Sequence, residues 1–119
     1  MSADLTKTVT DLVQSVREGR GALLMSLDGV PVEQAALAGG TDLEAIAGEY
    51  AGLLHQAQAL SAELDCGVPL RFSVRGSKRR IVFAFVPGDL VLGVEAGPTS
   101  LRGQMQHVVA QAAGQLGEL

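Results

Sequence analysis

Cys66 is the only cysteine of the chain and His55 one of its two histidines, so a thiolate–imidazole pair is the first chemistry to weigh. Such a pair needs the imidazole within hydrogen-bond reach of the sulfur and a third group to orient the base. No orienting residue presents itself, and a structural thiol is the favoured reading. A lone cysteine also excludes an intramolecular disulfide and a cysteine-rich metal site. His55 and His107 fall on different predicted helices, and no cluster of His, Asp and Glu has metal-ligand spacing. Gly97-Pro98-Thr99-Ser100 precedes a predicted helix start, where backbone N–H groups can hold an anion, but a turn and a cap is the simpler account. Asp28 and Glu33 share one hairpin, where an Asp usually serves the turn backbone. No Gly-x4-Gly-Lys-Ser/Thr loop is present, so the chain is not itself a P-loop nucleotide hydrolase. The expectation is no catalytic residue, no metal and no cofactor.

Charge is more informative. Arg71, Arg75, Lys78, Arg79 and Arg80 place five of the nine basic residues around one predicted hairpin, in a chain of net charge −4. That segregation makes a local positive patch. Three readings stay open: an acidic protein partner, nucleic acid or anionic lipid, and protection of an exposed sheet edge by cationic side chains.

The elements that would position these residues follow from composition and periodicity. At 119 residues and 47 % hydrophobic, the chain is long enough for one domain with a real core. Aromatic residues are only 3 %, with no Trp, which leaves little for stacking nucleic-acid bases. No apolar run reaches membrane-spanning length, and the polar Ser2-Ala3-Asp4 start is unlike a signal peptide, so the expected compartment is the cytoplasm.

Leu5, Val9, Leu12, Val13 and Val16 predict a first helix, ended near Gly19 and Gly21. Residues 22–26 and 30–34 form strands around Asp28-Gly29, a pair suited to a type I′ turn. Pro31 cannot donate to a ladder, which places the second strand at an edge. Thr41 with Glu44 predicts a capping box, with Asp42 favouring the same helix start. The helix spans residues 41–65 and is stopped by Gly67 and Pro69. Leu70, Phe72 and Val74 alternate with Arg71, Ser73 and Arg75, a strand buried on one face. Gly76-Ser77 predicts a two-residue type II′ turn into residues 81–86, and Pro87-Gly88-Asp89 a turn into residues 90–96. Both strands are mostly apolar. After Gly97-Pro98, with Thr99 as N-cap, Leu101, Met105, Val108, Val109, Ala112, Leu116 and Leu119 predict a last helix.

The long helix has two usable faces. Leu43, Ile46, Ala47, Tyr50, Leu53, Leu54, Ala57, Leu60 and Leu64 form one apolar stripe. At about 100° per residue, Ala45, Gly48, Gly52, Ala59 and Ala62 fall opposite, with His55 at the margin. The large residues are expected to pack on the chain's own sheet, leaving the small ones for the close approach of a partner. Both strand groups are hairpin-linked, so one antiparallel sheet is the economical assembly. Pairing the first strand with the fifth gives the order 2-1-5-4-3, an α/β (α+β) sheet packed between helices. Its other edge, residues 70–75, contains no internal Pro and invites pairing with another chain.

This element order, the segment Ala22-Leu23-Leu24-Met25-Ser26-Leu27-Asp28-Gly29-Val30-Pro31-Val32-Glu33 and the apolar long helix resemble the Roadblock/dynein light chain family, and bacterial MglB-type members more closely. The resemblance covers about residues 5–116. It implies homo- or heterodimers built by the long helix and third strand. It also implies a small Ras-like GTPase as partner, activated by MglB-type proteins as scaffolds that supply no catalytic residue.

The expected dimer interface is Ala45, Gly48, Gly52, His55, Ala59, Leu70, Phe72 and Val74. Glu49, Gln56, Arg75, Lys78 and Arg79 are the expected partner-binding residues. A two-fold pairing centred on Ser73 would set Arg71 against Arg75 of the other chain, unless a shifted register, Glu63 or Asp65, or a helix-only interface relieves it. The function expected is a dimeric, non-enzymatic GTPase regulator. The alternatives are an adaptor of the same fold without a GTPase, and a nucleic-acid-binding module using the basic hairpin.

Overall fold

The structure, a computed structural model, describes residues 2–36, 42–67, 69–100 and 102–117. Its elements run α1 (Ser2–Ser15), β1 (Gly19–Ser26), β2 (Pro31–Ala36), α2 (Leu43–Glu63), β3 (Arg71–Arg75), β4 (Arg80–Val86), β5 (Leu90–Ala96) and α3 (Arg102–Gly117). The five strands form one antiparallel sheet in the order β2-β1-β5-β4-β3. The order, the hairpin connections and the two edge strands are as the sequence predicts.

Strand alternation sorts the core into two layers. On one face Ala22, Leu24, Val82, Ala84, Leu92 and Val94 meet Val9, Leu12 and Val13 of α1 and Met105, Val109 and Leu116 of α3. On the other, Leu23, Met25, Ile81, Phe83 and Val91 meet Leu43, Ile46, Ala47 and Leu54 of α2. Tyr50 packs on Phe83 with ring centroids 5.3 Å apart. Apolar side chains on both faces of β1, β4 and β5 are what keep these strands central.

Several local expectations are corrected. Gly19 does not end α1 but opens β1, and the chain turns at Glu18 with φ 60°. The β1–β2 connection is not type I′, which needs positive φ at both central residues. Only Gly29 has positive φ, 86°; the Gly29 N–H donates to Ser26 O and the Ser26 N–H to Val30 O, which closes a three-residue loop. Arg75 pairs with Arg80, so the β3–β4 connection is a four-residue loop in which the Gly76 N–H donates to Arg79 O, rather than a two-residue type II′ turn. Paired positive φ occurs instead at Gly88 and Asp89, between β4 and β5.

Helix ends also differ. Asp42 caps α2: its carboxylate accepts from the Glu44 and Ala45 N–H groups at 3.1 and 3.2 Å. Thr41 lies outside the described residues. Asp65, not Gly67, ends the helix. It sits at φ 54°, its N–H donates to Ala62 O and the Cys66 N–H donates to Ser61 O, the hydrogen-bond pattern of a Schellman motif. α3 begins at Arg102, so Thr99 is not at its cap position; Leu101 and Leu119 lie outside the described residues.

Candidate interaction surface

The contacts of α2 settle which way each flank faces. Ala47 and Ala51 lie against Gly29, where an added Cβ would come within 3.0 Å of Ala51 Cβ. Gln34 Nε2 donates to Glu44 Oε1 at 3.5 Å, and His55 Nε2 lies 3.5 Å from Asp28 Oδ1. This flank therefore faces the β1–β2 hairpin. The opposite flank carries Glu49, Leu53, Gln56 and Leu60, all exposed, on the side of β4 and β3.

The apolar stripe is accordingly buried only in part. Leu43, Ile46, Ala47 and Leu54 are in the core, but Leu53 is exposed, Leu60 is 52 % exposed and Leu64 70 %. Leu70, 66 % exposed just before β3, lines an apolar cleft of about 350 Å³ with Leu27, Gln58, Phe85, Pro87 and Leu90. Phe72 and Val74 are half-buried on the α2 face of β3. Leu70 itself precedes the strand, although its carbonyl accepts from the Phe85 N–H. The small-residue positions Ala45, Gly48, Gly52 and Ala59 are exposed, as is His55, and a Cβ at Gly48 or Gly52 would meet no atom within 4 Å.

The basic hairpin is less uniform than its sequence. Arg79 and Arg80 are neighbours on an extended chain and so point to opposite faces. Arg80 is 5 % exposed and its Nη1 donates to Ser100 O at 3.0 Å. Arg79 Nη1 lies 3.6 Å from Oε2 of buried Glu95. The Lys78 carbonyl accepts from Arg20. Arg71, Arg75 and the Lys78 ammonium remain as exposed cations. The five positive charges therefore do not make one patch, which weakens the nucleic-acid reading. Alternation along residues 75–80 carries this distinction, but Glu95 as the buried partner does not stand out in a mostly apolar strand.

The other chemical candidates are separated. His55 faces Asp28, whereas Cys66 is exposed beyond the end of α2, its Sγ directed at Leu64 O. The eight helical steps from His55 to Glu63 alone rise about 12 Å, too far for a nucleophile pair. His107 is exposed on α3. The N–H groups before α3 are already used: Glu18 Oε2 accepts from Thr99 N–H, and Glu18 O from Gly97 N–H. Glu33 accepts from Thr6 Oγ1. Among the described residues no group of His, Cys, Asp and Glu could hold a metal ion, and no helix is long and apolar enough to cross a membrane.

The 2-1-5-4-3 sheet packed between helices is the architecture the sequence predicts, and the structure adds that α1 and α3 cover one face and α2 the other. The Roadblock/LC7 domain model matches residues 5–96. The chain belongs to the Roadblock/LC7 family. The match ends with β5, so α3 completes the core of this Roadblock protein from outside the matched region.

Similar solved structures include MglB of Myxococcus xanthus, with a TM-score of 0.86 at 16 % identity over 97 % of this chain and 93 % of that one. A Roadblock/LC7 domain from Streptomyces avermitilis gives 0.82 at 19 % identity over 93 % and 92 %. MglC of M. xanthus gives 0.69 at 24 % identity over the whole of both chains. At these identities the likeness is one of fold. Among curated proteins nothing matches significantly.

Proposed function

We propose that this Roadblock protein is a cytoplasmic, non-enzymatic regulator of a small Ras-like GTPase, that it works as a homodimer, and that its whole length forms one domain. The observations that carry the reading are the exposed apolar residues Leu53, Leu60, Leu64 and Leu70, together with the open, Pro-free edge β3 that follows Leu70 in the chain. Exposed apolar residues gathered beside an unpaired strand are a surface for another chain. A second copy related by a two-fold axis would set α2 against α2 and β3 beside β3. Gly48, Gly52, Ala45 and Ala59 permit the close approach, with His55 at the margin and Leu70, Phe72 and Val74 on the sheet side.

MglB-type likeness supplies the GTPase half of the reading, since that resemblance implies an activator of a Ras-like GTPase. Glu49, Gln56, Arg75 and Lys78 remain exposed for the partner; Arg79 contributes less, because Glu95 already engages it. With no phosphate loop of its own, the protein acts by pressing on the GTPase and reshaping its site.

The test is to pair the protein with a Ras-like GTPase encoded beside it and to measure complex formation and GTP turnover. Stimulated turnover together with binding of the GTP-analogue form is the expected result. No complex with either nucleotide form would replace this reading with that of an adaptor.

A further inference from the structure

Arg75 stands directly opposite Arg80 across the β3–β4 ladder, on the sheet face that carries α1 and α3. Directly opposed residues share a face at close range, and like charges there repel. The Arg80 guanidinium is nearly sealed from water, yet its hydrogen-bond partner is a neutral carbonyl, that of Ser100. Among the described residues neither guanidinium has a carboxylate within ion-pairing distance. Both line a cleft of about 210 Å³ with Ser73 and Gln106, over Val82. Two planar cationic forks, a hydroxyl and an amide line it, and among the described residues none of the lining ones is acidic. Guanidinium forks match the oxygens of phosphate in pairs.

We propose that this cleft binds a phosphate-class oxyanion, either inorganic phosphate or the phosphate of a monoester. Arg80 is the buried anchor and Arg75 closes over the anion from β3. Ser73 and Gln106 donate to the remaining oxygens. Bound negative charge cancels the repulsion across the ladder, so occupancy stiffens the β3–β4 hairpin. The site lies on the sheet face opposite α2; it shares Arg75 with the exposed partner surface, but phosphate binding is measured with no GTPase present.

Inorganic phosphate is titrated into the full chain, followed by calorimetry and by amide NMR, with chloride at matched ionic strength as control. The expected result is saturable binding, with shifts at Ser73, Arg75, Arg80 and Gln106 and none along the exposed face of α2. Arg75→Ala is expected to weaken binding at least ten-fold. Arg80→Lys keeps the charge but loses the fork, and the same loss is expected; should it not fold, Ser73→Ala with Arg75→Ala carries the test. Tighter binding of glycerol phosphate marks a monoester site, and preference for inorganic phosphate marks the free ion; either supports the proposal. An equal response to chloride, full affinity in Arg75→Ala, or binding of acidic peptides but not of phosphate overturns it.

Discussion

Arg79 Nη1 lies 3.6 Å from Oε2 of Glu95, tying a side chain at the hairpin loop to a carboxylate that is 2 % exposed. Removing the arginine takes a cation from beside a buried carboxylate, so Arg79→Ala is expected to destabilise the fold by about 1–3 kcal/mol. Glu95→Gln in the Arg79→Ala background is expected to recover part of the loss. Urea unfolding of the four proteins of this double-mutant cycle measures the coupling, and additivity would refute it.

The consequence for mapping the partner surface is direct. Neutralising Arg75 and Lys78 is expected to change stability by less than about 1 kcal/mol, since exposed charges contribute little. If the hairpin contacts an acidic GTPase surface, association slows and loses salt dependence in this variant, read by stopped-flow at two ionic strengths. An unchanged association rate at low salt would return these side chains to edge protection.

Glycines on the two flanks of α2 are expected to behave oppositely. Gly29→Ala places a Cβ 3.0 Å from Ala51 Cβ at φ 86°, and is expected to cost about 1–2 kcal/mol. Gly48→Ala meets open space inside a helix and is expected to stabilise the monomer by up to about 1 kcal/mol. Thermal melts at low protein concentration separate the two.

Association is expected to respond to Gly52→Leu and Leu60→Glu. Each alters an exposed position, so Leu60→Glu leaves the unfolding free energy at low concentration within about 0.5 kcal/mol of wild type, and Gly52→Leu raises it by up to about 1 kcal/mol through helix propensity. Light scattering at tens of micromolar is expected to show a dimer for wild type and a monomer-shifted population for both variants. A monomeric wild type would remove the dimer from the reading.

Glu49→Arg and Gln56→Arg reverse or add charge on the exposed flank of α2, and are expected to lower GTPase stimulation through weaker binding. Turnover at saturating protein should then recover. A scaffold acts through area rather than an inserted finger residue, so loss of turnover at saturation would contradict that mechanism.

Element order, strand pairing and the open β3 edge were readable because periodicity and Pro31 act locally. The β1–β2 turn was not: Asp28-Gly29 permits type I′, but packing of Gly29 against Ala47 and Ala51 selects a three-residue loop. Nor was the division of the long stripe. Leu53, Leu60 and Leu64 read as core because the three- and four-residue spacing includes a helix flank, whereas the side buried is the one centred on Leu43, Ala47 and Leu54. Arg79 and Arg80 looked alike as charges, and only the strand register sends one to Glu95 and the other under α3. Glu95 itself was missed, its carboxylate hidden among the apolar neighbours of β5.

The seam between the first and last strands, Ala22 paired with Val94 and Leu24 with Leu92, sets a timing for synthesis. β1 can close its local hairpin with β2, and α1 and α2 can pack on that hairpin, before β5 arrives from the far end of the chain, but both core layers stay incomplete until it does. A topology held by such distant pairing folds more slowly than a helical bundle of the same size, because the long loop must close before the strand contacts reward it. On the ribosome the N-terminal hairpin and α1 must therefore wait with apolar surface uncovered until the last strand and α3 are released.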